Sequence, residues 1–250
     1  MELDVSHATL EKLFSKTKRK QRYIIGVPIE REFDESRVGL TPQAVSLLIE
    51  AGHEVRVEAN AGAIAGFSNV DYLEAGASIV GIDEVLDVDV IFKILPLNLM
   101  EIERLKFGAT VFSIANNRMQ SEKYFSLLIK KKVTAIAYDT LQGKKGNLIM
   151  MDAICKIVGN ACPLIAGEYF SSYNKNRGYL IGSVAGTPPT EIVFLGATKV
   201  TEKAAKIFLS MDASVKIFDR SLSRLQDIKD KLGCSVYTAT LYPNLFQDAL

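Results

Sequence analysis

The stretch Glu191-Ile-Val-Phe-Leu-Gly196-Ala-Thr198-Lys199-Val-Thr201 carries residue types that could handle a dinucleotide. The apolar run at 192–195 reads as a buried strand, and Gly196 breaks it. A helical pattern follows, with Ala204, Ala205, Ile207, Phe208 and Met211 on its apolar side. A second strand over 214–219 then ends on Asp219, about 20 residues after the glycine, where a carboxylate could take a ribose hydroxyl. Strand, turn, helix, strand and acid in that order make a Rossmann-type unit. The glycines are mostly replaced. Gly196 suits the tight turn, but Thr198 and Thr201 stand where glycines would let a pyrophosphate approach the backbone. A β-branched side chain at Thr198 also disfavours φ > 0. The helix start still offers free N–H groups, and Lys199 adds a cation. The residues therefore predict weak or lost cofactor binding. A buried αβ unit that binds nothing is the alternative.

A second candidate is Lys93. It stands alone among apolar residues in a predicted strand over 88–95, near its C-terminal end. A charge in that position is costly unless it is paired, functional, or reaches out to water along its apolar stem.

The elements that must position these residues alternate regularly. Strands are predicted at 23–27, around Val55 and Val57, at 88–95, 109–115 and 133–138. Thr41 and Pro42 mark a helix start, with Val45, Leu48 and Ile49 as its apolar face and Gly52 as its stop. Ser68 and Asp71 have capping-box spacing, and Ser121 opens a helix through Lys131. This is the pattern of a parallel doubly wound α/β sheet. Residues 151–173 read as one long apolar helix with Pro163 inside it. A helix over 221–232 and a strand over 235–237 follow Asp219. The expected organisation is a tail at 1–22, a substrate domain at 23–150, a connecting helix within 151–177 and a Rossmann domain at 178–250. Two Rossmann-like domains result, the second truncated, because such a sheet needs more strands than remain.

Composition narrows the function. Thirty basic and 29 acidic residues give a net charge of +1 at pH 7. That balance leaves no footprint for nucleic acid or for general membrane attraction. The basic run of Lys16, Lys18, Arg19, Lys20 and Arg22 reads as a solvated leader, and its alternative, a lipid or nucleic-acid patch, has no support elsewhere in the chain. No apolar run comes near the roughly 18 residues needed to span a bilayer, so no membrane segment is expected. The three cysteines are scattered, which speaks against a disulfide framework or metal site and suits a reducing, cytoplasmic setting. His7 and His53 are the only histidines and sit in no convincing site.

From about residue 23 onward the chain resembles the alanine dehydrogenase and pyridine nucleotide transhydrogenase alpha-subunit family. The resemblance rests on Ile25-Gly-Val-Pro28, Glu35-Ser-Arg-Val-Gly-Leu-Thr-Pro42, Ala51-Gly-His-Glu-Val55, Asp71-Tyr-Leu-Glu-Ala-Gly-Ala77, Ile91-Phe-Lys93, Val133-Thr-Ala-Ile-Ala137 and Pro188-Pro189. Thr134-Ala-Ile-Ala-Tyr138 is more similar to the alanine dehydrogenase branch. The resemblance implies a substrate domain paired with an NAD domain, assembly into homo-oligomers, and hydride transfer between NAD and alanine or pyruvate. It assigns Arg37 to the substrate carboxylate, which a guanidinium fork can bind at two points; a surface arginine before a helix is the alternative. It assigns Lys93 to the substrate carbonyl. It also implies a departure, since Asn116 stands where the alanine dehydrogenase histidine belongs. An amide cannot exchange a proton near neutral pH. Three readings remain open here: an alanine dehydrogenase-like enzyme, the NAD-binding part of a transhydrogenase, and a decayed, non-enzymatic relative that binds at most a small carboxylate.

Overall fold

A computed structural model describes residues 21–32, 34–114, 119–144, 146–175, 178–233 and 235–241. The tail pattern at 10–20, Asn116 and Cys234 lie outside the described residues. The chain forms two compact units, Met1–Asp139 and Thr140–Leu250.

The first unit is built on β1 (Ile24–Val27), β2 (Glu54–Glu58), β3 (Ser78–Val80), β4 (Val90–Phe92), β5 (Thr110–Ser113) and β6 (Thr134–Ala137). All pairings are parallel, and the order is β3-β2-β1-β4-β5-β6. Its helices are α1 (Pro42–Glu50), α2 (Asn69–Glu74), α3 (Ile82–Leu86), α4 (Leu99–Arg104) and α5 (Glu122–Lys130). Neighbouring residues on a strand point to opposite faces, and the cores follow that rule. Ile25 and Val27 pack with Val45 of α1 and Tyr72 of α2, whereas Ile24 packs with Val85, Leu86 and Ile102 from α3 and α4. Both faces are covered, as a parallel sheet requires.

Helix starts follow local chemistry. Thr41 accepts the Ala44 N–H ahead of Pro42, and Ser121 accepts the Tyr124 N–H. Ser68 and Asp71 form a complete capping box. Three short elements, β3, α3 and α4, have no counterpart among the predicted ones. Lys93 lies one residue beyond β4 rather than inside it, although its N–H still reaches the Phe112 carbonyl at 2.9 Å.

The second unit contains α6 (Ile149–Phe170), β7 (Glu191–Leu195), α7 (Lys199–Ser210), β8 (Ser214–Asp219), α8 (Leu222–Leu232) and β9 (Val236–Thr240). Its sheet is parallel, in the order β7-β8-β9. Phe208, Val215, Ile217 and Ile228 fill its core. The helix expected to act as a connector belongs to this unit. Cys155, Gly159 and Pro163, one helical turn apart, are its buried residues, and α6 packs extensively on α7. It is also long and apolar enough to cross a membrane by length and composition alone, with a mean hydropathy of 1.5 over its best window. Asp152, Lys156, Asn160 and Glu168 interrupt its apolar residues, so it contains no long apolar run.

Candidate functional site

In the first sheet, β1 and β4 are adjacent, and the connections leave them toward opposite sides. This is the switch point of the topology, where open parallel sheets bind ligands beyond their strand C-termini. Glu30 and Arg31 follow β1 there, and Lys93 follows β4.

Lys93 is buried, with its side chain 1% exposed. Its ammonium lies 3.2 Å from Oε2 of Glu30 and 3.7 Å from Oε2 of Glu101. Glu30 is itself fixed, accepting the N–H groups of Ile94 at 2.6 Å and Leu95 at 3.3 Å. Glu101 caps α4 by accepting the Asn98 N–H at 2.8 Å and also takes Arg31 at 3.0 Å. Arg31 bridges onward to Glu58, which accepts the Ile29 N–H at 2.9 Å. Two cations and three carboxylates thus form one ion-pair network. Burial of the charges is offset by pairing and by backbone donors. No buried side-chain nitrogen or oxygen among the described residues is left without a hydrogen bond.

Arg37 stands next to this network on the segment leading into α1. Gly39 places that segment against β4: a Cβ at Gly39 would lie 2.4 Å from the Phe92 carbonyl oxygen and 3.3 Å from the Lys93 nitrogen. Tyr72 anchors it by donating its hydroxyl to the Leu40 carbonyl at 2.8 Å. Arg37 donates Nε to Oε1 of Glu35 at 2.7 Å and Nη2 to Oε2 at 2.6 Å. Hydrogen bonding to Glu35 raises the Arg37 guanidinium above its ordinary value, with a smaller contribution from the Glu30 charge. The Glu35 carboxyl is lowered by the Arg37 contact first, and Lys93 adds to this. The segment that carries Arg37 and the backbone of Lys93 meet at the end of β4. Tyr138 closes the same edge, donating to the Ile94 carbonyl at 2.9 Å, and burial pushes its phenol up to about 12.

The second unit carries the glycine turn. Gly196 has φ +105, a conformation that side chains disfavour. Thr198 does not share it. Its φ of −107 is extended backbone, so the expected conformational conflict is absent, and the residue serves as N-cap of α7. Its Oγ1 accepts the Thr201 N–H at 3.2 Å. The Thr201 hydroxyl donates back to the Gly196 carbonyl at 2.6 Å. Lys199 pairs with Asp152 on α6 rather than standing over the turn. Asp219 is buried at the end of β8 and accepts the Ala197 and Ser221 N–H groups, each at 2.7 Å. Those bonds, Ser221 foremost, hold its carboxyl below the usual range.

A family model described as the alanine dehydrogenase/PNT N-terminal domain matches residues 26–158, and the corresponding C-terminal domain matches residues 162–250. The chain belongs to the alanine dehydrogenase/PNT family. It is 36% identical to alanine dehydrogenase 2 of Staphylococcus aureus strain USA300 over 220 residues, which is 88% of this chain and 59% of that protein. The chain thus spans less than two thirds of the length of the curated relatives it matches. A solved L-alanine dehydrogenase superposes with a TM-score of 0.73 at 30% identity, covering 90% of this chain and 63% of that one. A transhydrogenase from Sinorhizobium meliloti superposes with a TM-score of 0.70 at 20% identity, covering 90% and 64%, and shows the fold alone.

Within this family member, the residues that sequence reasoning missed are Glu30, Glu101, Arg31 and Glu58. One signal was available: Glu30 is an acid directly after the first strand, where chain ends of a parallel sheet gather ligand-binding groups. Among the described residues no group of His, Cys, Asp and Glu could hold a metal ion.

Proposed function

We propose that this chain is an alanine dehydrogenase-like protein whose first unit binds a small carboxylate of the alanine and pyruvate class. Arg37 takes the carboxylate, and Lys93 faces its carbonyl. The observation carrying this reading is that Gly39 packs the Arg37 segment against the end of β4, beside Lys93, at the switch point of a doubly wound sheet. The Lys93 ammonium has three donors, and the carboxylates of Glu30 and Glu101 beside it call on two, so a carbonyl would take the third.

NAD would supply the hydride acceptor for oxidation of an amino acid. Two features of this chain fit it: the Gly196 turn, and Asp219, whose carboxylate keeps lone pairs for a ribose hydroxyl after accepting two N–H groups. Three do not. Thr198 occupies an N–H at the α7 start that a phosphate would use, the Thr201 hydroxyl fills the turn, and Lys199 is held by Asp152. The reading is therefore a carboxylate site joined to a poor cofactor loop, in a chain that does not turn over alanine. Homo-oligomeric assembly and a cytoplasmic setting belong to the same reading.

Two measurements test it. Purified 250-residue chain should form no NADH from alanine and NAD at any pH from about 7 to about 10, which brackets amine ionisation. Robust activity abolished by Lys93→Ala would replace the inactive reading with an enzyme. Calorimetric titration should show pyruvate binding that Arg37→Ala removes. Unchanged binding in that variant would place the carboxylate elsewhere.

A further inference from the structure

The Arg37 fork already holds a carboxylate. Nε and Nη2 meet the two oxygens of Glu35, and the Arg37 backbone N–H donates to Oε1 as well, at 3.0 Å. This is the two-point arrangement by which a guanidinium takes any carboxylate. The two partners are unequally exposed: the Glu35 side chain is 8% exposed, the Arg37 side chain 49%. The acid is tucked in while the cation remains reachable from solvent. Two residues apart, the partners meet with little loss of chain freedom.

The geometry points to Glu35 as a specificity-determining residue, an internal carboxylate that a ligand must displace to reach Arg37. This rests on the reading of Arg37 as the carboxylate-binding residue. The ligand class follows from the exchange. A displacing group must bring two oxygens and a full negative charge, because it replaces charge-assisted hydrogen bonds one for one. A neutral amide of the same shape does not repay the loss of Glu35. Exchange of like for like leaves little surplus, so binding to the native chain is weak.

Calorimetry with pyruvate as the probe, on the full chain near neutral pH, separates the possibilities. Glu35→Gln removes the competing charge and should tighten pyruvate binding by about tenfold, the scale of a hydrogen bond to a charged group. Arg37→Ala and the double variant should not bind. Loss of binding in Arg37→Ala together with unchanged or weaker binding in Glu35→Gln overturns the role of Glu35 and leaves the carboxylate site standing. Unchanged binding in Arg37→Ala, or no binding to any of the chains, overturns the site and the role of Glu35 with it. A second measurement needs no variant. In the native chain, pyruvate should shift the NMR signals of the Glu35 carboxyl carbon and the Arg37 Nε–H together. A shift at Arg37 with Glu35 unmoved overturns displacement even where Glu35→Gln fails to fold.

Discussion

The Asp219 carboxylate braces the turn made by Gly196: its Oδ2 accepts the Ala197 N–H at 2.7 Å, across the gap between the ends of β7 and β8. Its Oδ1 meanwhile fixes Ser221, the N-cap of α8. One side chain therefore sets the geometry of two successive helix entrances. Its value in the fold is expected to be structural before it is anything else.

Acid should reveal that role. The folded Asp219 carboxyl lies below its ordinary value. Its contribution is complete above the unfolded value, about 3.9, and disappears as pH falls through the lower folded value. The second unit should lose stability below about pH 4, and Asp219→Asn should flatten that limb. Near neutral pH the substitution should cost about 1–2 kcal/mol, because an amide NH₂ then faces a backbone donor. Circular dichroism melts across this range provide the check.

Opening the cofactor loop should help NAD at the expense of the helix. Thr198→Gly with Thr201→Gly removes a hydroxyl acceptor from the α7 start and a hydroxyl from the turn. NAD affinity measured by titration should rise, while glycine inside α7 should cost roughly 1 kcal/mol of stability. Affinity that stays the same would mean that the threonines are not what limits binding.

Lys93 should be costly to remove. Lys93→Met leaves Glu30 and Glu101 buried without their shared cation. Breaking one side of a buried pair destabilises by about 3–5 kcal/mol. Hydrogen exchange at the β4 amides should accelerate accordingly, and adding Glu101→Gln should recover part of the loss. A variant as stable as the parent would show that the network contributes little.

The placement of Arg37 should depend on residues that never touch a ligand. Gly39→Ala puts a methyl group where the Phe92 carbonyl stands, forcing the segment away from β4. Tyr72→Phe strips the Leu40 carbonyl of its donor, at a cost of about 1–3 kcal/mol. Both should weaken pyruvate binding without altering the guanidinium itself. Retained affinity in both would show the segment to be self-supporting.

Much of the first unit was legible because its signals are local. Thr41 with Pro42, Ser68 with Asp71, and Ser121 each act within one helical turn of themselves. Most strands of both sheets were legible from apolar runs or alternation, and the bounds 214–219 match β8. The shortest elements were not: β3 and α3 are too brief for a period to register. Lys93 in the first unit and Gly196 and Asp219 in the second stood out by residue type and setting, and Arg37 through the family resemblance, but their partners did not.

What the sequence determined by itself is the order of elements, the family, and the charges that needed partners. A lone lysine inside a predicted apolar strand already called for a partner, a function or a route to water. Which charge it met was decided by the tertiary structure alone. Glu30 arrives from the end of β1 and Glu101 from the start of α4, brought together because β1 and β4 are neighbours in the sheet. Thr198 likewise looked like an obstacle to phosphate, and folding made it the cap of α7. Caps and periods act over a few residues and are written in local spacing. Ion pairs between distant segments depend on strand order, which no local window contains.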